Sequence, residues 1–123
     1  MGVMARKWKN FDREQLKVLS TGTPFLQDPR ERACPACGAT DVRSYLYRSD
    51  RNGQPILIGY SWSTNCLRYD GSTGPLPDGL TFDDPMDDLP PQERTRLRYD
   101  LDGLFGYLDD QWDRGALPQR FSF

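Results

Sequence analysis

Three cysteines carry the chemistry this sequence can offer: Cys34 and Cys37 in "ACPACG", and Cys66 in "SWSTNC". Two cysteines at C-x-x-C spacing fit one tight turn whose backbone N–H groups face the sulfurs and stabilise their negative charge, one half of a zinc site. Proline after the first cysteine and glycine after the second suit such a turn. The other half belongs on a later turn, and there Cys66 stands alone, with Ser63 three positions earlier where a second cysteine would fall. The chain has no histidine to make up the number.

The residues leave three readings of this cluster. One is a zinc site of three cysteines with an open position or an oxygen ligand, from Asp70, from water or from a partner protein. In that reading Ser63 marks a lost ligand position, because a neutral hydroxyl is a weak zinc ligand beside three thiolates. The second is a ribbon-like fold that has lost its metal. The third is redox or catalytic use.

Little in the sequence supports catalysis. Without histidine, Ser-His-Asp and Cys-His arrangements are excluded. The H-x-E or C-x-E that precedes the cysteine pair of a nucleobase deaminase is missing. A strand is predicted after the C-x-x-C, where a thioredoxin-type pair needs a helix. Phosphate loops, dinucleotide loops, nucleophile elbows and H-E-x-x-H are likewise missing. The expectation is a binding protein, with zinc as its one candidate cofactor.

The elements that must position the cysteines follow from pattern. With 123 residues, 37% of them hydrophobic and 28% charged, the chain is too apolar for disorder and small enough for a metal staple to matter. "FDREQLKVLS" predicts a helix within 11–21: Asp12 caps, Gln15 closes a capping box, Phe11 staples onto Leu16, and Gly22 ends it. "VRSYLYR" and "PILIGYSWS" predict two strands around the turn pair Asn52-Gly53. Alternation puts Tyr45 and Tyr47 on one face of the first strand, and Ile56, Ile58, Tyr60 and Trp62 on one face of the second. "RYDGSTGPLPDG", dense in turn formers, is expected to be irregular.

In the last third, Pro90 or Pro91 opens a helix, and Leu101, Leu104, Phe105, Leu108 and Trp112 recur at helical spacing up to a stop at Gly115. Gly103 and Gly106, each costing about 1 kcal/mol of helix propensity, suggest two short helices there. The fold expected is α+β and a single domain. A zinc-ribbon-like central β-hairpin (33–77) is flanked by a short N-terminal helix and a C-terminal helical region (90–115).

Charge is unevenly placed. Residues 1–51 hold ten Lys/Arg against six Asp/Glu, whereas residues 78–113 hold eleven acids against three arginines. No apolar run is long enough for a membrane span, and the N-terminus lacks the apolar core of a signal peptide, so a cytoplasmic protein is expected.

The run from Cys34 to Pro77, with its CPxCG turn, its hairpin and "WSTNCLRY", resembles a group of small actinobacterial zinc-ribbon proteins whose second turn reads WCxxCRxY. Cys34, Cys37 and Cys66 match ligand positions of that pattern, Trp62, Arg68 and Tyr69 match its flanks, and Ser63 departs from it. Proteins of this kind look like the immunity partners of polymorphic toxins. The resemblance implies a small inhibitor that binds a toxin domain. A nuclease toxin must be basic to hold phosphates, so its inhibitor is expected to show an acidic face. The candidates are Asp83, Asp84, Asp87, Asp88, Asp109 and Asp110, with Tyr107 as an aromatic anchor. The rival is nucleic-acid binding through Arg43, Arg48, Arg51 and Arg68, with Tyr45 and Tyr47 for stacking. A structural subunit of a larger assembly is a third possibility.

Overall fold

The computed structural model describes residues 6–21 and 24–123. In chain order it contains β1 (Lys9–Asn10), α1 (Arg13–Ser20), β2 (Arg32–Ala33), β3 (Thr40–Arg51), β4 (Gln54–Ser63), β5 (Arg68–Pro75), β6 (Thr81–Phe82), a 3₁₀ turn (Pro85–Asp88), α2 (Pro91–Arg98), α3 (Leu101–Asp113) and β7 (Phe121–Ser122). The class is α+β. A mixed five-stranded sheet runs β1-β5-β4-β3-β2, in which only β1 lies parallel to its neighbour, and β6 pairs with β7 in a small second sheet. Among the described residues no helix is long and apolar enough to cross a membrane.

The β3–β4 hairpin turns on Asn52 and Gly53, both at positive φ (53° and 81°), the backbone that a two-residue turn of matching twist requires. Its register pairs Tyr45 with Tyr60 and Arg43 with Trp62. Period-two alternation divides the side chains as expected. Tyr45, Tyr47, Ile58, Tyr60 and Trp62 join one core against α3, while Val42 joins a second, smaller core with Phe11 and Cys34.

Phe105 is the centre of the larger core. Trp62 stacks on its ring at 5.0 Å and 13°, Trp8 meets it edge-on at 4.7 Å, and Tyr60 and Tyr69 approach at 5.7 and 5.8 Å. Leu104 and Leu108 flank it, both fully buried. The predicted apolar stripe of α3 is therefore the stripe that covers the sheet.

Two expectations are corrected. "RYDGSTGP" is not irregular: it is β5, paired with β4 along its whole length from Ser63↔Arg68 to Ile56↔Pro75. Turn-former content loses here to ladder pairing, and Gly71 gives the Tyr60 ring a flat surface, since an added Cβ would touch that ring at 3.4 Å. The segment from Asp100 to Gly115 does not divide into two short helices: α3 runs through both Gly103 and Gly106, and the break from α2 falls before it, at Tyr99–Asp100. Asp100 starts α3 by accepting from the Gly103 N–H at 3.1 Å, and a side chain at 103 would collide with that cap.

At the other end Gly115 (φ 84°) closes α3, its N–H bonding Trp112 O and the Ala116 N–H bonding Gln111 O. The capping box of α1 forms as expected, Gln15 N–H to Asp12 Oδ1 at 2.8 Å and Asp12 N–H to Gln15 Oε1 at 2.9 Å. The expected stop at Gly22 lies outside the described residues.

Phe105→Ala removes the ring on which four aromatic side chains converge. We expect a loss of about 3–5 kcal/mol of unfolding free energy in a denaturant titration. A loss below 1 kcal/mol would show that the two layers are not held by this contact.

Candidate metal centre

Cys34 sits at the head of a tight turn between β2 and β3. Its N–H bonds Ala39 O at 2.7 Å and its carbonyl accepts from the Gly38 N–H at 2.7 Å, with Gly38 at φ 79° making the reversal. That turn aims the Ala36 N–H at Cys34 Sγ, 3.4 Å away. Cys66 lies on the second turn, between β4 and β5, where Leu67 takes a positive φ of 54°. Because β4 pairs with both β3 and β5, the end of one hairpin is folded back onto the start of the other. The sulfurs of Cys34, Cys37 and Cys66 consequently lie within 4.8 Å of one another, with Cys34 Sγ and Cys66 Sγ 3.4 Å apart. Three cysteines gathered in this way can hold a metal ion.

The surroundings sort the three thiols. Cys34 is buried against Phe11 and Val42, Cys66 is half-buried, and Cys37 is exposed. Burial alone would push the Cys34 thiol up, but the Cys37 and Ala36 backbone amides hold it below its ordinary value. Burial raises Cys66 to about 11. Leu16 and Leu19 of α1 pack against the same cluster, so a metal here would tie the N-terminal helix and two turns of the sheet at one point.

Asp70, the expected oxygen ligand, is not in the cluster. It stands opposite Ser61 on β5, two steps along the ladder from the Ser63–Arg68 pair, and lines a groove with Leu16, Lys17 and Arg32. Burial there raises its carboxyl above the usual range. Ser63, in contrast, lies against the thiols: it is fully buried, and its Oγ accepts from Cys66 Sγ at 3.3 Å. Its own proton goes to Asp41, at 3.0 Å from Oδ1 and 2.9 Å from Oδ2. Asp41 was not singled out by sequence; the one available signal was a carboxylate at the head of the strand that follows the CPxCG turn.

The six acidic candidates divide between inside and outside. Asp109 faces the sheet, accepting from Arg43 Nη1 and Trp62 Nε1, each at 3.0 Å, and from the Thr64 hydroxyl. It is a structural node and not part of an exposed face. Asp84 caps the 3₁₀ turn through the Met86 N–H at 2.9 Å and accepts from Tyr45 Oη at 2.7 Å. Asp83 accepts from the Arg120 N–H at 2.9 Å. Asp87 pairs with Arg94 at 3.4 Å and Asp110 with Arg114 at 2.9 Å, both carboxylates more than half in solvent. Asp83, Asp84 and Asp88 nevertheless line one groove of about 810 Å³, with Arg120 the single cation in its wall. Tyr107 stands beside them, half-buried, donating to Pro85 O at 3.3 Å.

The residues of the nucleic-acid reading are placed otherwise. Tyr45 and Tyr47 are buried under α2 and α3, 1% and 8% exposed, and present no ring to a base. Arg43 is bound to Glu31, Asp109 and Asp113. Arg48 lies over Phe82 and donates to Leu80 O at 3.0 Å, and Arg68 donates to Cys66 O at 3.3 Å. Arg51, at the hairpin tip, is exposed.

Compared with protein-family models, curated proteins and solved structures, the chain finds no match.

Two outcomes follow. The reduced protein should hold one equivalent of a thiophilic divalent metal by elemental analysis, and Cys66→Ala should lose it; a metal-free native chain after loading would contradict the site. Asp109→Ala should cost roughly 2–4 kcal/mol in chemical denaturation, because Arg43, Trp62 and Thr64 lose one shared acceptor. Asp109→Asn should cost less. Equal losses for the two would contradict this, showing that the charge of Asp109 and not its acceptor oxygen is what counts.

Proposed function

We propose that this is a small, non-catalytic binding protein of the immunity or inhibitor type. A zinc-ribbon-like centre of Cys34, Cys37 and Cys66 braces it, and its acidic C-terminal region docks a basic partner such as a nuclease toxin domain. The observation that carries the reading is the groove where Asp83, Asp84 and Asp88 converge. A lysine- or arginine-rich loop is the complement of such a groove, and complementary fields of this kind chiefly raise the rate of association. Asp110 lies close enough to Tyr107 for its charge to help keep that hydroxyl protonated, after burial and the nearer charges of Asp88 and Asp84. The aromatic ring and the carboxylates thus form one patch suited to an anchor and a charged rim.

Zinc suits the thiol cluster on size. Thiolate sulfurs about 2.3 Å from a tetrahedral zinc lie about 3.8 Å apart along its edges, and the three sulfurs here already lie within 4.8 Å of each other. With its ligands on turns and a hydrophobic core behind one of them, the metal's part in this reading is to hold the fold.

Affinity capture from the native host tests the proposal. Recovery of one basic protein, with no nucleic acid retained at moderate salt, is the expected result. The pair Asp83→Lys and Asp88→Lys should weaken that capture at least tenfold, mainly through the association rate, and leave the melting temperature within a few degrees. Retained RNA or DNA with a steep salt dependence would favour the nucleic-acid reading instead.

A further inference from the structure

We propose that Ser63 Oγ is the fourth ligand of the metal centre and that Asp41 holds it in that role. The inference rests on the zinc reading above and completes its ligand set. A serine hydroxyl has one proton to give and two lone pairs to offer. Here the proton is committed to Asp41, shared between Oδ1 at 3.0 Å and Oδ2 at 2.9 Å. Ser63 can therefore turn only lone pairs toward the thiols, and Cys66 Sγ sits 3.3 Å away as a donor to one of them. A metal ion that replaces the thiol protons meets the same lone pair.

The dimensions agree. A zinc ion with sulfur at about 2.3 Å and oxygen at about 2.0–2.2 Å spans S···S edges of about 3.8 Å and S···O edges of about 3.6 Å. The corresponding distances here are 3.4 Å for Cys34 Sγ to Cys66 Sγ and 3.3 Å for Cys66 Sγ to Ser63 Oγ. Along these two edges closure needs movements of a few tenths of an ångström. Ser63 has no solvent exposure.

Asp41 supplies what a hydroxyl lacks as a ligand. A carboxylate accepting the O–H proton increases the donor strength of the oxygen and fixes its direction. Asp41 lines a groove with Arg43, Asp109 and Asp113. On metal uptake the thiol protons leave to water, and the Ser63 proton stays in its bond to Asp41. The strand end that would carry a cysteine in a four-thiolate site thus carries a serine whose proton Asp41 holds.

Zinc K-edge X-ray absorption on the full-length, zinc-loaded protein tests this. The native chain should show three sulfurs at about 2.3 Å and one oxygen at about 2.0–2.2 Å, and Ser63→Cys should convert the shell to four sulfurs. Asp41→Asn should weaken zinc about 10- to 100-fold in chelator competition. A Ser63→Cys protein that keeps three sulfurs and an oxygen puts residue 63 outside the shell and overturns the proposal. So does a native shell of four sulfurs, which would mean a thiolate lent by a second chain. Unchanged affinity in Asp41→Asn overturns the role of Asp41. A native chain that takes up no zinc fails the zinc reading itself, a result distinct from these.

Discussion

The end of β4 holds this molecule together. Trp62, Ser63 and Thr64 are consecutive, and strand alternation sends the first and third to one face and the second to the other. Trp62 stacks on Phe105 and gives its indole N–H to Asp109, which also takes the Thr64 hydroxyl. Ser63 gives its proton to Asp41 and lies against Cys66. Two carboxylates from distant parts of the chain thus clasp three residues in a row, one from the helix side and one from the thiol side. Both Trp62 and Ser63 are wholly buried. Moving either would disturb the other, because a one-residue slip exchanges the faces.

That clasp changes how the acidic segment is understood. Much of the negative charge between residues 78 and 113 is engaged within the fold: Asp84 and Asp100 begin helical turns, Asp102 accepts from Trp8 and Arg6, and Asp109 and Asp113 take Arg43. Carboxylates at helix N-termini and opposite buried donors stabilise the fold whether or not a partner exists. Of the carboxylates that line the groove, Asp83 and Asp88 are exposed and Asp84 is half-buried. The docking proposal therefore concerns the wall of one groove and not the whole of that segment.

Local chemistry made much of this legible in the sequence. The capping box at Asp12 and Gln15, the Asn52-Gly53 turn, the faces of β3 and β4, the α3 stripe and its stop at Gly115 all depend on residues within one turn or one strand of each other. The approach of Cys66 to Cys34 and Cys37 followed from hairpin geometry. The rest was set by partners far away in sequence. β5 is a strand because β4 offers it a ladder, against the preference of its glycines. Asp109 and Asp110 look alike as neighbours, yet one meets Trp62 and the other meets solvent. Asp41 and Ser63 are 22 positions apart, and nothing short of the folded register says that one will hold the other's proton. Asp70, four positions after Cys66, offers an oxygen by sequence, but the ladder carries it past the thiols.

The account holds that the thiol corner and the aromatic core are one cooperative unit joined through the Trp62–Ser63 pair. Thermal unfolding of the reduced, metal-depleted chain, followed by near-ultraviolet circular dichroism of the aromatic core with and without zinc, tests that most directly. Zinc at a hundredfold excess over its dissociation constant should stabilise the core by about 2.7 kcal/mol and raise the midpoint of the aromatic signal accordingly. An aromatic transition that stays where it was while zinc is bound would show that the two sides of the sheet unfold independently, and would contradict the account.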